Sequence, residues 1–333
     1  MSHQMTQLDA ENALYKERPW HGLGNIGHIE WTDARDAFDW CEVERTPIFI
    51  EHHGVEELLE GRNVLKMVNY PFAHAEVSAR YKIVQHRFMA DDLTGILLDT
   101  GLVETIESVG TYDNGAIGYV SLKFKDGIKI PGWSHVHSMF NIGNGHDKMV
   151  PLIATQSAQA VVCANTFKWN ILDKAAIFRF RKIGEPQAMM EEAVHALCDS
   201  YERNVEYAKM IERMANETFV NTEWDALRRQ LIGDAPKWNG IEETRAGWMN
   251  AHTRWETKKN QINDRYYVDP DLSGVYDTKW GALMAVQAWE QKDKSMKGLK
   301  SQSQRQQRHQ AAVMFGKLPV TEKAAKILTG VSE

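Results

Sequence analysis

The feature that most constrains this 333-residue chain is a change of hydrophobic period at Glu185-Pro186. Before it, apolar and polar residues tend to alternate, the period of a half-buried strand. After it, Met190, Val194, Leu197, Tyr201, Val205, Ala208 and Ile211 recur at spacings of three and four, the period of one helix face. Pro186 stands where that helix would begin, and there its missing N–H costs nothing. The expected fold class is therefore α+β: a mainly antiparallel sheet domain with helices, followed by a helical C-terminal region. The expected boundaries are an N-terminal arm over 1–18, an α+β core domain over 19–185, a helical region over 186–291, and a basic tail with a short terminal helix over 292–333.

Strands are expected at Val43–Glu51, Val77–Val84, Val103–Gly110, Ala116–Phe124, His135–Ile142 and Ile153–Val162, with a basic strand at Ala176–Lys182. Tyr112-Asp113-Asn114-Gly115 predicts a tight hairpin, because both central residues of a type I′ turn need positive φ. Helices are expected at Asp33–Cys41, Phe88–Asp99 and Asn165–Asp173, and later at Glu223–Leu231, Glu242–Gln261, Thr278–Glu290 and Thr321–Leu328. Lys292–Gln310 is polar, basic and nearly free of large apolar side chains, so it reads as a flexible arm.

The net charge of −6 hides an asymmetry. Ten basic residues stand against four acids from Lys279 to Glu333, so that segment is +6 and the remainder is −12. A split of this kind points to an anionic partner for the tail, or to docking of the tail on the acidic body. The three cysteines, Cys41, Cys163 and Cys198, are odd in number and widely spaced. They support neither a disulfide framework nor a four-cysteine zinc site, and a reducing cytoplasm is the expected compartment. The N-terminus is polar and contains acids, unlike a signal peptide, and no apolar run approaches the ~20 residues of a membrane span.

Several segments carry a family resemblance. Pro19-Trp20-His21-Gly22-Leu23-Gly24, Arg80-Tyr81-Lys82-Ile83-Val84-Gln85, Asn144-Gly145-His146-Asp147, Val161-Val162-Cys163-Ala164-Asn165-Thr166 and Trp280-Gly281-Ala282-Leu283 resemble motifs of the DUF932 family. The resemblance spans about residues 18 to 292. Lys148, after the third motif, and Ala160, before the fourth, depart from the family pattern of a small residue and an arginine. The resemblance implies a protein of phages, prophages or plasmids, and implies no reaction.

Three constellations bear on chemistry. His135 and His137 share one face of a strand, and with His146, Asp147 and Cys163 they are zinc- or iron-ligand types. The plainer reading leaves the two histidines on a solvated sheet face and has Asp147 bond backbone N–H groups of its own turn. Cys163 with His146 and Asn165 has the residue types of a cysteine hydrolase. Against that, Cys163 follows two valines and reads as a buried packing residue, with Asn165 or Thr166 capping a helix. Gly145, His146, Asp147, Cys163, Asn165 and Thr166 are thus expected to be scaffold. Gly22-Leu-Gly24-Asn-Ile-Gly27 fits a dinucleotide-binding pattern but lacks the strand that should precede it. No cofactor is expected.

Nucleic acid is the third. Lys168, Lys174, Arg179, Arg181 and Lys182 stand against the lone Asp173. On a strand, Arg179 and Arg181 share one face while Phe178 and Phe180 take the other, interleaving charge for phosphates with rings for bases. The alternative is that the phenylalanines are core and the arginines a solvated edge. Lys294, Lys297, Lys300, Arg305 and Arg308 on the tail would add nonspecific phosphate attraction. The tryptophans at 224, 238, 248, 255, 280 and 289 read as packing or homo-oligomer contacts, or as base platforms. The leading expectation is a cytoplasmic phage or plasmid protein that binds single-stranded DNA in recombination or replication, with annealing as one form of that activity. The alternatives are a protein-interaction module and a metal- or cysteine-dependent hydrolase.

Overall fold

The structure is a computed structural model. It describes residues 5–16, 23–125, 128–129, 135–148, 150–160, 166–168, 177–179, 186–293 and 318–330. Its centre is an antiparallel run of four strands, β6 (Val103–Tyr112), β7 (Ile117–Phe124), β9 (His135–Gly145) and β10 (Ile153–Ala160). β1 (Leu14–Tyr15) pairs antiparallel with β6, and β2 (Asn25–Ile26) pairs parallel with β1. β8 (Ile128–Lys129) pairs with β9. β11 (Thr166–Lys168) and β12 (Ile177–Arg179) both pair antiparallel with β10, which completes nine described strands. A second, antiparallel sheet holds β3 (Val43–His52), β4 (Val55–Met67) and β5 (Ala73–Ser78) in sequence order.

Register explains which residues make the core. Val109, Val120, Ile142 and Ala154 are successive cross-strand partners, and Leu122 lies opposite Phe140 in the next row. These rows bury their side chains with Phe124, and each large one stabilises the fold by roughly 1.5–3 kcal/mol. Against them pack α2 (Trp31–Asp36), a π-helical turn at Met89–Thr94, α3 (Gly95–Asp99), and Ala196 and Leu197 of α4 (Pro186–Asn216). Thr94 Oγ1 donates to Met89 O at 2.7 Å, five residues back.

Helix α4 serves two cores. Farther along it, Tyr207, Ile211 and Met214 enter a separate helical core. That core is built with α5 (Asn221–Ile232), the end of α6 (Arg245–Tyr267), α7 (Lys279–Ala288) and α8 (Pro319–Thr329). Trp224 stacks on Tyr266 at 4.0 Å inside it. The mainly antiparallel sheet followed by helices agrees with the expected α+β class.

The N-terminal residues, expected as an arm, pack into the sheet from Met5 onward. α1 (Gln7–Asn12) is closed by a capping box in which Thr6 N donates to Asp9 Oδ2 at 2.9 Å. The buried Asp9 also accepts from Thr111 Oγ1 at 2.5 Å and from the backbone N–H groups of Asn114 and Gly115, each at 3.0 Å.

Several local expectations are corrected. The β6–β7 hairpin turns at Asn114-Gly115 as expected, but through a four-residue loop, 113–116, in which Asp113, Asn114 and Gly115 all have positive φ. Asp9 holds that loop from outside, so its geometry is tertiary. The two-residue hairpin instead joins β3 to β4 at His53-Gly54, with φ of 52° and 78°. β4 itself was not expected. β5 covers Ala73–Ser78, so Tyr81–Val84 lies outside the strand. β9 continues through Gly145, so Gly143–Gly145 is strand. Thr166–Lys168 form β11 and pair with β10, so over these three residues the expected helix and the cap at Thr166 are replaced by strand; Asn165 and residues 169–173 lie outside the described residues.

Candidate functional site

Two of the motif segments meet in space. Asn144 Nδ2 donates to Val84 O at 2.7 Å and lies 3.0 Å from His86 Nδ1. His86 Nε2 is 2.9 Å from Gly115 O, which assigns the tautomer: Nε2–H donates to the carbonyl and Nδ1 accepts from Asn144. Gly118 admits this ring, since a Cβ there would lie 2.7 Å from His86 Cγ. His146 lies against His86, their centroids 4.1 Å apart, and His74 of β5 stacks on His146 at 6.4 Å. A line of imidazoles, buried at His86 and His146 and half-buried at His74, therefore joins the two sheets. Burial lowers the His74 pKa, and the charge of Asp9 opposes this more weakly. Gln85 ties in β3, donating to Val43 O at 2.6 Å and accepting from Val43 N at 3.2 Å.

Beside this network, Tyr15 and Tyr119 share a hydroxyl hydrogen bond of 2.7 Å, and Tyr112 stacks on Tyr119 at 5.0 Å. Burial pushes Tyr15 up to about 12 and raises the Tyr112 and Tyr119 phenols well above their ordinary value. Burial also raises the Cys41 thiol, so it is a packed, unreactive group. The recess flanked by Cys41, Gln85 and His86 holds about 10 Å³, space for about one water.

The expected scaffold residues are placed as follows. Gly145 ends β9. His146 is buried, and its N–H donates to Ala116 O at 2.7 Å. Asp147 Oδ1 accepts from Val150 N at 3.2 Å, the turn-fixing role expected for it. Cys163 and Asn165 lie outside the described residues. His135 and His137 lie on β9, opposite Lys129 and Gln159 respectively. Among the described residues, no group of three or more His, Cys, Asp or Glu is placed to hold a metal ion.

Of the basic candidates, Lys168 and Arg179 are described, on β11 and β12. Register sets position 168 opposite Ser157 and position 179 opposite Ile153. Ser157 and Ile153 are four apart on β10, so both basic positions belong to one face of the sheet. On that face Ser121 Oγ donates to Asn141 Oδ1 at 2.8 Å, and Asn141 Nδ2 donates to Ser157 Oγ at 2.7 Å. Position 178 falls opposite Ala154, in the row of the apolar core. Lys174, Arg181, Lys182, Lys294, Lys297, Lys300, Arg305 and Arg308 lie outside the described residues.

The match to a family model covers residues 73–314, under the description "Domain of unknown function (DUF932)". The chain belongs to the DUF932 family. No curated protein and no solved structure matches it. The DUF932 match begins at the first residue of β5 and contains His74, His86, Asn144 and His146, while Asp9 and the β3–β4 hairpin precede it. Among the described residues, no helix is long and apolar enough to cross a membrane.

Sequence reasoning missed Asp9, His74 and His86. Asn144 and His146 sat inside a recognised motif, and His86 directly follows another. That adjacency was the available signal. Nothing local marks Asp9 or His74, whose roles depend on partners elsewhere in the chain.

Proposed function

We propose that this DUF932 protein binds single-stranded DNA during phage or plasmid recombination or replication, as an annealing-type protein without covalent chemistry. The observation that carries this reading is the register along β10, which brings Lys168 and Arg179 onto one face of one outer edge, about 13 Å apart along the strand. A run of antiparallel strands with one face backed by helices offers a rigid support for such an edge. The basic tail would raise the encounter rate with phosphate. The test compares the wild-type chain with a Lys168→Glu/Arg179→Glu variant by anisotropy of a labelled oligonucleotide. The variant is expected to bind at least about tenfold more weakly, with a shallower salt slope. Equal affinity and slope would contradict the role of this edge.

A second reading, a protein-interaction module, is favoured by the β3–β4 hairpin. Phe49 and Leu58 are cross-strand partners that stand 60% and 53% exposed on one face of the hairpin, and Ile50 and Val55 are exposed on its other face. The cross-strand pair Glu51 and Glu56 follows Phe49 and Leu58 on the same face, so the partner would offer apolar surface with a basic rim. A nuclease-resistant pull-down from host lysate that is lost in Phe49→Ser/Leu58→Ser would support this reading. Identical recovery by both proteins would remove it.

A further inference from the structure

The tryptophans of the helical region divide into two groups. Trp224, Trp280 and Trp289 are buried in the helical core. Trp238, Trp248 and Trp255 are not. On α6, Arg245, Trp248, His252, Trp255 and Lys259 follow one another at spacings of three and four, so they form one stripe about 21 Å long. Ile262 and Tyr266 continue the same stripe, and they are the residues of α6 that are buried. The stripe is thus core at its C-terminal end and runs out of the core over the preceding four turns.

The outer part of the stripe is a ladder of rings. Trp238 lies 6.1 Å from Trp248, Trp248 lies 5.2 Å from His252, and His252 lies 6.1 Å from Trp255. A cation stands over each end, Arg245 at 5.9 Å from the Trp238 ring and Lys259 at 5.5 Å from the Trp255 ring. The indole edges are already committed. Trp238 Nε1 donates to Ile241 O at 3.3 Å, Trp248 Nε1 to Pro236 O at 2.9 Å, and Trp255 Nε1 to Gly233 O at 3.0 Å. Asn239 Oδ1 steadies the same loop by accepting from Ile241 N at 3.1 Å and Thr244 Oγ1 at 2.8 Å. The rings are therefore fixed by their edges, and Trp238 remains 43% exposed.

We propose that the Trp238–Trp248–His252–Trp255 ladder is a base-stacking platform for single-stranded nucleic acid, with Arg245 and Lys259 meeting its phosphates. This rests on the single-strand binding proposed above and adds a second contact surface to it. Fixing the loop explains the three indole N–H bonds. It does not explain a cation over each end of the ladder, or rings held in place outside the core. Fixed π-faces interleaved with cations are what successive bases and phosphates require, and rings ordered in advance lose little freedom on binding. Arg245 also donates to Glu242 Oε1 at 2.9 Å, an exposed pair that a phosphate could share, and a purely apolar partner would bury Lys259 in the interface without an anion.

The experiment uses the full chain and a fluorescein-labelled oligothymidine, with Trp238→Leu, Trp248→Leu, Trp248→Phe and Lys168→Glu/Arg179→Glu variants. Thermal melts confirm that each variant is folded. Trp238→Leu and Trp248→Leu are expected to weaken binding about tenfold each, with an unchanged salt slope, because a stacking contact releases no counterions. Trp248→Phe keeps a π-face and loses the N–H, and is expected to keep most of the affinity. If Trp248→Phe loses as much as Trp248→Leu, the ring is a loop staple and the platform is wrong. If the wild type binds, the charge-reversed variant loses affinity and both leucine variants do not, the platform is wrong while the DNA reading stands. If the wild type does not bind, the DNA reading itself fails. Should the leucine variants instead lose a nuclease-resistant protein contact with DNA affinity intact, the ladder belongs to a protein interface and the platform is again wrong.

Discussion

The imidazoles of His86 and His146 lie 4.1 Å apart, centroid to centroid, tilted by 33°. Both are buried, and His74 extends the line from the second sheet. Charging two rings at this separation would cost on the order of 4 kcal/mol at an effective dielectric near 20. The junction of the two sheets therefore disfavours charge on both rings at once.

Stability should fall as pH falls. Burial lowers the folded-state pKa of His74, and among the described residues its Nε2 has no hydrogen-bond partner, so the unfolded chain binds the proton more readily. The stability this group contributes is fully present above about pH 6.5 and is lost as pH drops from there through the folded-state pKa. Thermal melts should show a lower midpoint at about pH 5 than at about pH 7.5, with a smaller drop in His74→Gln. An equal drop in both proteins would show that other groups carry the dependence.

Gly118→Ala should disturb the same network without touching a charge. The new Cβ would press on His86 Cγ, Nδ1 and Cδ2, none of which is a flexible chain end. The ring must move, which strains its bonds to Gly115 O and Asn144 and costs about 1–3 kcal/mol in urea unfolding. A change under about 0.5 kcal/mol would mean that the ring has room to shift.

Asp9→Ala should destabilise far more than the loss of a surface acid. It removes the acceptor for Thr111 Oγ1 and for two backbone N–H groups, and it opens the α1 capping box. Each buried donor left without a partner costs about 1–3 kcal/mol, so a loss of at least 3 kcal/mol is expected. Amide exchange at Asn114 and Gly115 should rise with it. Unchanged protection there would show that the loop holds itself.

Glu290 has a comparable role at the other end of the chain. The buried carboxylate accepts from Val320 N at 3.2 Å and from Thr321 N at 2.7 Å, so a residue of the preceding helical segment caps α8. Glu290→Ala should cost about 2 kcal/mol and expose 319–329 to limited proteolysis before the rest of the chain. Cleavage in that segment at the wild-type rate would contradict the cap.

What the sequence disclosed depended on where the cause of each feature lay. The change of period at Pro186 set the division into sheet and helices, because strand and helix faces are local patterns. Asp147 was legible because its bond to Val150 is three residues long. The hairpin at Asn114-Gly115 was legible from its turn residues, but its four-residue shape was not, because that shape is held by Asp9, far back in the chain. Thr166 reads as a cap in the sequence because a short polar residue after an apolar run looks the same before a helix or at a strand start. The histidine line could not be read locally at all, since its three members come from three segments. Of the tryptophans, sequence identified the set but not the split between core and ladder. That split depends on where α6 leaves the helical core.

The most direct test of the central claim is the affinity of the wild-type chain for a labelled single-stranded oligonucleotide as salt is raised. The account predicts binding at micromolar protein or better near ~50 mM salt, weakening steeply by ~200 mM as phosphate contacts release counterions. No binding at ~50 mM salt with protein at ~10 μM, or binding indifferent to salt, would contradict it.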